Sequence, residues 1–218
     1  MIRVEKIDTW GLEHAIRGMR NPLNSWDKSD SYDVTRHPCF QVGANDLELM
    51  RKLYRAGTEH RKYLRQIFVS MDITAPLYWW KEFDTYKVGT VSNSCSTMHK
   101  IAAKEFELDD FSHEHIDGQK ITARTFYEEF ATWDVLNLII KCLNWNRREY
   151  LETKDKKYWW QMIQLLPSSY NQKRTITMNY ENVVSILNQR SEHKLDEWRD
   201  FCKILLNDVP YIEEITNE

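Results

Sequence analysis

The sequence has few of the residues on which flexible, secreted or metal-binding proteins depend. Its 218 residues include only six glycines and five prolines, so a long flexible linker is not expected. The four cysteines (Cys39, Cys95, Cys142 and Cys202) stand far apart and form no CxxC pair, which argues against a structural metal site. We therefore expect no bound metal, and thiols that are reduced in a cytoplasm.

Long apolar runs and a strong charge of one sign are also lacking. No segment approaches the roughly 18 consecutive apolar residues of a membrane span, and the N-terminus, MIRVEKIDTW, lacks the apolar run of a signal peptide. The formal net charge is −3, which argues against a nucleic-acid binder that depends on neutralising phosphates. These absences predict a cytoplasmic protein whose partners are neither membranes nor nucleic acids.

Large aromatic side chains are abundant. The chain holds nine tryptophans, 11 tyrosines and eight phenylalanines, and 42% of its residues are hydrophobic. Rings of this size contribute most in a core, at a subunit interface or against a planar ligand. The composition therefore predicts a well-packed core and a further aromatic surface for a partner subunit or a ligand.

The periodicity of the apolar residues indicates one α+β domain over residues 1–218. Alternation predicts strands over 1–10, 67–73 and 173–179. Helical spacing predicts helices over 45–57, 74–89, 123–146, 150–166, 180–190 and 195–206. The turn-rich segment 18–39 is predicted to be a long surface loop.

The stretch 86-YKVGTVSNSCSTMHKI-101 has two interpretations. Its hydroxyl-bearing residues, flanked by Lys87 and Lys100, suit a phosphate or nucleotide, because hydrogen-bond donors and cations pair with phosphate oxygens. On composition alone, an ordinary polar loop is the better interpretation. Cys95 as a nucleophile ranks below packing or incidental placement, since activation needs a nearby base or cation.

Two other groups of polar residues allow both an ordinary and a functional interpretation. Arg190 ends the helix predicted over 180–190, where the helix dipole favours a cation. It could equally direct a guanidinium fork from a rigid element towards an anion or the polar edge of a base. His113 and His115 flank a glutamate, but without further ligands at metal-site spacing a solvated loop is the preferred interpretation.

The run 179-NYENVVSILNQRSEHKLDEW-198 resembles the flavin-dependent thymidylate synthase family. In that family a strand leads into a helix of the form N-x-R-S-L-x-N-F-L-x-L-R, and Asn179, Leu187 and Arg190 match without a gap. The stretch at 85–100 is similar to the family's R-H-R-x7-S signature. The resemblance covers residues 45–215, leaves 1–40 uncovered, and implies a single domain with a small central antiparallel sheet and several long helices.

The chain differs from the family's motifs at several positions. Thr85-Tyr86-Lys87 stands where the family has Arg-His-Arg, so only the last position keeps its charge. When seven residues are counted between Lys87 and the signature serine, Cys95 takes the serine position. Ser96 matches the signature serine only if one residue is inserted. Glu181 stands where the family has an arginine that faces the flavin. Whether Ser96 or Cys95 holds the signature position is left open.

The resemblance implies FAD-dependent reductive methylation of dUMP to dTMP. Methylenetetrahydrofolate would give the carbon and NADPH the reducing equivalents, while the protein orients the nucleotide, flavin and folate. Arg190 is implied as the catalytic residue that holds the uracil and favours the negative charge developing on it. The other implied substrate-binding residues are Ser94, Ser96, His99 and Lys100, and Lys87 and Asn179 are implied to bind the cofactor.

The resemblance also implies a homotetramer whose sites are built between subunits. Two alternatives remain beside the thymidylate synthase. The first is a divergent homologue that keeps nucleotide binding but has lost or altered the flavin chemistry. The second is a non-enzymatic oligomeric interaction protein that keeps only the fold, because a shared fold does not by itself carry function.

Overall fold

The structure is a computed structural model that describes residues 2–33, 40–122 and 129–217. The described residues divide into two compact units. The first, here called the sheet unit, draws on residues 2–73, 84–93 and 175–217. The second, the hairpin unit, draws on residues 74–83 and 94–174.

The helices and strands alternate irregularly along the described residues. The strands are β1 (Arg3–Trp10), β2 (Tyr32–Asp33), β3 (Phe40–Gln41), β4 (Phe68–Pro76), β5 (Thr90–Ser94), β6 (Lys120–Thr122), β7 (Glu129–Ala131) and β8 (Asn171–Asn179). The helices are α1 (Leu12–Arg20), α2 (Ala44–Arg55), α3 (Leu77–Phe83), α4 (Thr97–Lys100), α5 (Thr132–Thr153), α6 (Lys156–Leu165), α7 (Tyr180–Arg190), α8 (Asp196–Asp208) and α9 (Ile212–Thr216).

Four strands form the main sheet in the order β1-β4-β8-β5. Two small antiparallel ribbons, β2 with β3 and β6 with β7, complete the strand pairing of the described residues. The predicted fold class, α+β with a small antiparallel sheet and many helices, is confirmed. No helix of the described part of the chain is both long and apolar enough to cross a membrane.

The core of the sheet unit follows from alternation on β4. Val69, Met71 and Ile73 are fully buried and alternate with partly exposed residues, as expected for a strand with one face in a core. Helices α7 and α8 add an apolar stripe that includes the fully buried Ile186 and Trp198. Burial of such side chains is the main stabilising contribution to this unit.

A buried ion pair joins the N-terminal segment to α2 within the sheet unit. Arg20 Nε lies 2.6 Å from Asp46 Oδ1, and the Ser29 and Ser31 hydroxyls donate to Oδ2 at 2.7 and 2.6 Å. The Asp46 side chain is fully buried. Burial alone would raise the pKa of Asp46, but hydrogen bonds from Ser31, Ser29 and Arg20 and the Arg20 charge hold it below its usual value.

The core of the hairpin unit lies beside the α5–α6 helical hairpin. Residues from α5, α6 and the segment after α4 bury a second apolar cluster: Ile101, Phe106, Phe111, Leu136, Leu143 and Met162. The prediction of one continuous helix over 150–166 is wrong, because α5 ends at Thr153 and α6 begins at Lys156. Lys154 adopts a left-handed conformation with φ of 59°, and Asp155 caps α6 by accepting a hydrogen bond from the Lys157 amide.

Other boundaries also differ from the predictions. The helix predicted over 123–146 is observed from Thr132, and residues 123–128 of that prediction lie outside the described residues. The helix predicted from 74 is shorter, since β4 continues to Pro76 and α3 ends at Phe83. The predicted loop 18–39 contains short 3-10 turns and β2, with 34–39 outside the described residues, and neither α1 nor α9 was predicted.

Candidate functional site

The seven residues that the sequence singles out divide between the two units. Lys87, Asn179 and Arg190 belong to the sheet unit. Ser94, Ser96, His99 and Lys100 belong to the hairpin unit. The structure therefore gives the geometry of two separate groups.

Helix α7 positions Arg190 in the sheet unit. The Asn179 side chain caps the helix by accepting a hydrogen bond from the Asn182 amide at 3.0 Å. Val183 and Leu187 are buried, so one face of α7 is held in the core. Arg190 is the last residue of the helix and is half-buried. The bounds predicted for this helix, 180–190, are confirmed.

The Arg190 guanidinium is held by two aromatic residues. Its Nε donates a hydrogen bond to the Tyr86 hydroxyl at 3.0 Å. Its Cζ lies 4.8 Å from the centroid of the Trp198 ring and 5.7 Å from that of Tyr86. The Tyr86 hydroxyl in turn donates to Gln189 Oε1 at 2.9 Å. Because Trp198 is fully buried, the cation rests against a rigid wall.

The positive charge of Arg190 also affects the pKa of a buried thiol on α8, that of Cys202. Burial raises the pKa of Cys202 to about 11, and the Arg190 charge opposes that rise. Cys202 is almost fully buried. A thiol with this pKa is neutral at pH 7, so Cys202 is no nucleophile there.

The turn that carries Lys87 is fastened to the start of α7. Asn182 Nδ2 donates to the Val88 carbonyl at 2.9 Å and to Thr90 Oγ1 at 3.0 Å. Gly89 has a φ of +75°, and a Cβ there would lie 2.6 Å from Asn179 Nδ2. Only glycine meets both conditions without strain. Lys87 thus projects, exposed, from a fixed turn.

Glu181, where the family has an arginine, is paired with a cation. Arg61 donates from Nε and from one terminal nitrogen to Glu181 Oε1, at 3.1 and 2.7 Å. Both side chains are about four-fifths buried, with exposed fractions of 19% and 21%. The charge reversal in α7 is therefore locally neutralised by a residue that precedes β4.

Part of the stretch 86–101 has regular secondary structure, although its composition favours a loop. Thr90–Ser94 forms β5, at one edge of the sheet, and α4 follows. The Cys95 amide donates to the Lys173 carbonyl at 2.9 Å, and Gln172 Nε2 donates to the Cys95 carbonyl at 2.9 Å. The backbone at Cys95 is held on both sides.

The side chains of Ser96 and Cys95 behave differently. Ser96 Oγ accepts a hydrogen bond from the His99 amide at 3.1 Å and so caps α4. The Cys95 thiol is exposed.

His99 and Lys100 lie exposed on the single turn of α4. His99 lines a hollow of about 410 Å³ together with the aromatic residues Tyr150, Trp159 and Trp160. Trp159 Nε1 donates to the Met98 carbonyl at 3.1 Å, which fixes its ring against α4. Ser94 ends β5 and is exposed. The four predicted substrate-binding residues of this unit therefore lie within seven consecutive residues, 94–100.

Tyr86 and Trp198 are the site residues that sequence reasoning missed. Tyr86 was noted only as a departure from the family's Arg-His-Arg. The available signal was its position at the centre of that motif, 104 residues before Arg190. Trp198 carried no signal of its own, because its role depends on how α7 and α8 pack. No group of three or more His, Cys, Asp or Glu side chains converges on a metal position within residues 2–33, 40–122 and 129–217.

Comparison with solved structures identifies proteins of the same fold. A crystal structure of thymidylate synthase X (ThyX) from Helicobacter pylori with FAD and dUMP has a TM-score of 0.65 at 17% identity, with 98% of this chain and 96% of that chain covered. A second complex of that enzyme gives 0.67 at 17% identity, with 98% of each chain covered.

A third similar structure has a different described activity. It is a UMP/dUMP methylase, PolB, from Streptomyces cacaoi bound with 5-Br dUMP, with a TM-score of 0.58 at 16% identity and 94% and 88% of the two chains covered. No protein-family model and no curated protein sequence matches the chain. The chain therefore has the fold of flavin-dependent thymidylate synthases.

Proposed function

We propose that the protein catalyses the FAD-dependent reductive methylation of dUMP to dTMP. The observation that carries this proposal is the placement of Arg190. It matches the family's terminal arginine, ends a capped helix, and is half-buried against Trp198 and Tyr86. The similar folds of enzymes described with FAD and dUMP support the same activity.

Arg190 would stabilise the negative charge that develops on the uracil ring during methylation. A cation that is already oriented adds little reorganisation cost when that charge forms, and partial burial strengthens the attraction. Tyr86 orients the guanidinium through Nε, and Trp198 fixes the plane against which it rests. Arg190 is therefore the proposed catalytic and substrate-binding residue.

The hairpin-unit residues would bind the nucleotide. Ser94, Ser96, His99 and Lys100 offer hydroxyl groups and cationic or hydrogen-bonding side chains, which suit phosphate and sugar oxygens. The Ser96 hydroxyl already accepts from the His99 amide and can donate its own proton to an anion. Lys100 is exposed and supplies a full positive charge.

The sheet-unit residues fit an FAD pyrophosphate by charge. Lys87 projects exposed from the fixed turn at Gly89, and Arg61 neutralises Glu181, so no bare carboxylate opposes a phosphate there. We propose Lys87 as a phosphate ligand, and Asn179 as a residue that shapes the same turn. When bound, FAD would relay the reducing equivalents of NADPH to the carbon that methylenetetrahydrofolate donates.

We propose that the functional form is a single-domain chain in a cytoplasmic homotetramer, as the family resemblance implies. The measurement is light scattering on the purified protein. A mass of four times the 26.3 kDa chain is expected, and a monomer would refute the tetramer.

The proposed activity is tested by supplying dUMP, methylenetetrahydrofolate, NADPH and FAD and measuring dTMP by chromatography. Arg190→Ala should abolish dTMP formation and leave the circular dichroism spectrum unchanged. Arg55→Ala is the matched control, because Arg55 also ends an amphipathic helix but is exposed. Equal dUMP affinity and turnover in Arg190→Ala and the unmodified protein would refute the role of Arg190.

A nucleotide-binding homologue with altered flavin chemistry is the second candidate. It is favoured by Tyr86, which stands at the family's histidine position and whose hydroxyl is engaged by Arg190 and Gln189. Visible absorbance at flavin wavelengths distinguishes the candidates. dUMP binding without flavin or dTMP would support this second candidate. If the purified protein binds neither flavin nor dUMP, the result would instead support a non-enzymatic interaction protein.

A further inference from the structure

A hollow between α5 and α6 is separate from every residue assigned to methylation. It lies wholly in the hairpin unit and has a volume of about 560 Å³. Small-molecule sites commonly enclose about 300–1,000 Å³ and combine apolar walls with a few polar groups. The apolar lining comes from Trp145, Tyr158 and Leu165. The Trp145 and Tyr158 rings meet edge to face, with centroids 5.6 Å apart.

One polar group lining this hollow is buried without a partner. Asn146 is only 5% exposed, and its Nδ2 donates to the Cys142 carbonyl at 2.8 Å. Its Oδ1 is screened from water and accepts no hydrogen bond from the described residues. A buried acceptor without a hydrogen bond is destabilising, so it favours a ligand that brings a donor. Because Oδ1 is buried, the lining side chains must move to admit that donor. The free energy of the new hydrogen bond offsets the cost of that movement.

The charged groups that line the hollow are both cationic. Lys141 stands on α5 and Lys157 on α6. Lys157 Nζ lies 4.6 Å from the centroid of the Tyr158 ring and 3.3 Å from Asp155 Oδ2. Two lysines beside an aromatic wall attract a planar molecule that carries a negative charge.

We propose that this hollow binds a small aromatic anion that carries an N–H or O–H donor. The ring would lie against Trp145 and Tyr158, the donor would bond Asn146 Oδ1, and the anionic group would face Lys141 and Lys157. The site does not depend on Arg190 or on flavin chemistry, so it stands or falls separately from the proposed methylation.

The test uses indole-3-acetate, which joins a planar ring, an N–H donor and a carboxylate. Binding to the full chain is measured by isothermal titration calorimetry. 1-Methylindole-3-acetate lacks the donor and should bind about fivefold more weakly, the loss of one buried hydrogen bond. Tryptamine reverses the charge and should show no binding. Saturable binding with this ranking supports the proposal.

Variants localise the binding. Asn146→Leu should remove the preference for indole-3-acetate over its methylated analogue, and Lys141→Gln should weaken both acids. Trp160→Ala is the control. Trp160, on α6, has the same exposed fraction as Trp145, but it does not line this hollow. Absence of binding, or equal binding by all variants, would overturn the proposal. So would a Trp145→Glu variant with a smaller particle mass than the unmodified protein, since a second copy would then cover the hollow.

Discussion

Arg190 and Tyr86 are joined by a hydrogen bond of 3.0 Å from the guanidinium Nε to the phenol oxygen, although 104 residues separate them in the chain. The same phenol donates to Gln189, the neighbour of Arg190 at the end of α7. Tyr86 thereby holds two adjacent side chains of one helix end. Tyr86 thus supports Arg190, the residue on which the proposed function depends.

Tyr86→Phe removes the phenol oxygen and keeps the ring. Hydrogen bonds to charged groups contribute about 1.5–3 kcal/mol, so we expect kcat/KM for dUMP to fall by about tenfold or more. The thermal midpoint should stay close to that of the unmodified protein. Tyr32→Phe, at an exposed tyrosine of the same unit, serves as the control. Unchanged kinetics in Tyr86→Phe would show that Arg190 needs no support from the phenol.

The Arg61–Glu181 pair allows a charge-rescue test of FAD retention. Arg61→Ala leaves a largely buried carboxylate without its cation, and we expect weaker FAD binding because that charge then opposes the phosphates. Arg61→Ala combined with Glu181→Gln should recover most of the loss, because the uncompensated charge is gone. The ratio of visible to ultraviolet absorbance after gel filtration measures retention. Equal retention in the single and double variants would exclude an electrostatic coupling.

Ser96 and Cys95 can be separated by paired substitutions. Ser96→Trp fills the space beside α4 and should block dUMP binding, whereas Cys95→Ser should leave it nearly unchanged. Ser96→Ala gives a finer test, since loss of a helix cap costs about 1 kcal/mol without adding bulk. Fluorescence or calorimetric titration with dUMP is the measurement. The reverse pattern would place Cys95 at the signature position, and insensitivity to both would leave an ordinary polar segment.

Asp46 should make stability depend on pH in acid. Its pKa in the folded protein lies below the ordinary value near 4. The stability it contributes is therefore fully present above that value and is lost as the pH falls through the lowered pKa. Asp46→Asn leaves the buried Arg20 without its anionic partner and should cost about 3–5 kcal/mol at pH 7.

Urea unfolding at several pH values measures this effect. The difference between Asp46→Asn and the unmodified protein should shrink below pH 4, because protonation removes the same charge. Asp27→Asn changes an exposed carboxylate of the neighbouring segment and should alter stability by no more than about 0.5 kcal/mol. A constant difference from pH 7 to pH 2 would mean that the charge of Asp46 does not stabilise the fold.

Helix α7 shows what the sequence could predict. Its cap at Asn179, its apolar stripe and its last residue, Arg190, all follow from local chemistry, and the structure has the same bounds. Strand β5 shows the opposite case. Thr90–Ser94 consists largely of small polar residues, and its strand conformation comes from pairing at the edge of the sheet. The residue pattern within Thr90–Ser94 does not show which strand it pairs with.

The contacts within the candidate site were less predictable than its residues. The family resemblance singled out Arg190 and Lys87, but the partners that hold them, Tyr86, Trp198 and Asn182, come from distant parts of the chain. An unpaired carboxylate at Glu181 would oppose the phosphates of FAD, but Glu181 is paired with Arg61, which lies 120 positions away in the sequence. Such pairs depend on tertiary packing, which a single sequence does not display.

The turn at Gly89 limits how this gene can vary. Any coding change there adds a Cβ that meets Asn179 Nδ2 at 2.6 Å, on a backbone that other residues rarely adopt. Gly118 has open space around it and no such backbone constraint. In a library of all single substitutions, position 118 should therefore accept most amino acids, while position 89 should accept glycine alone.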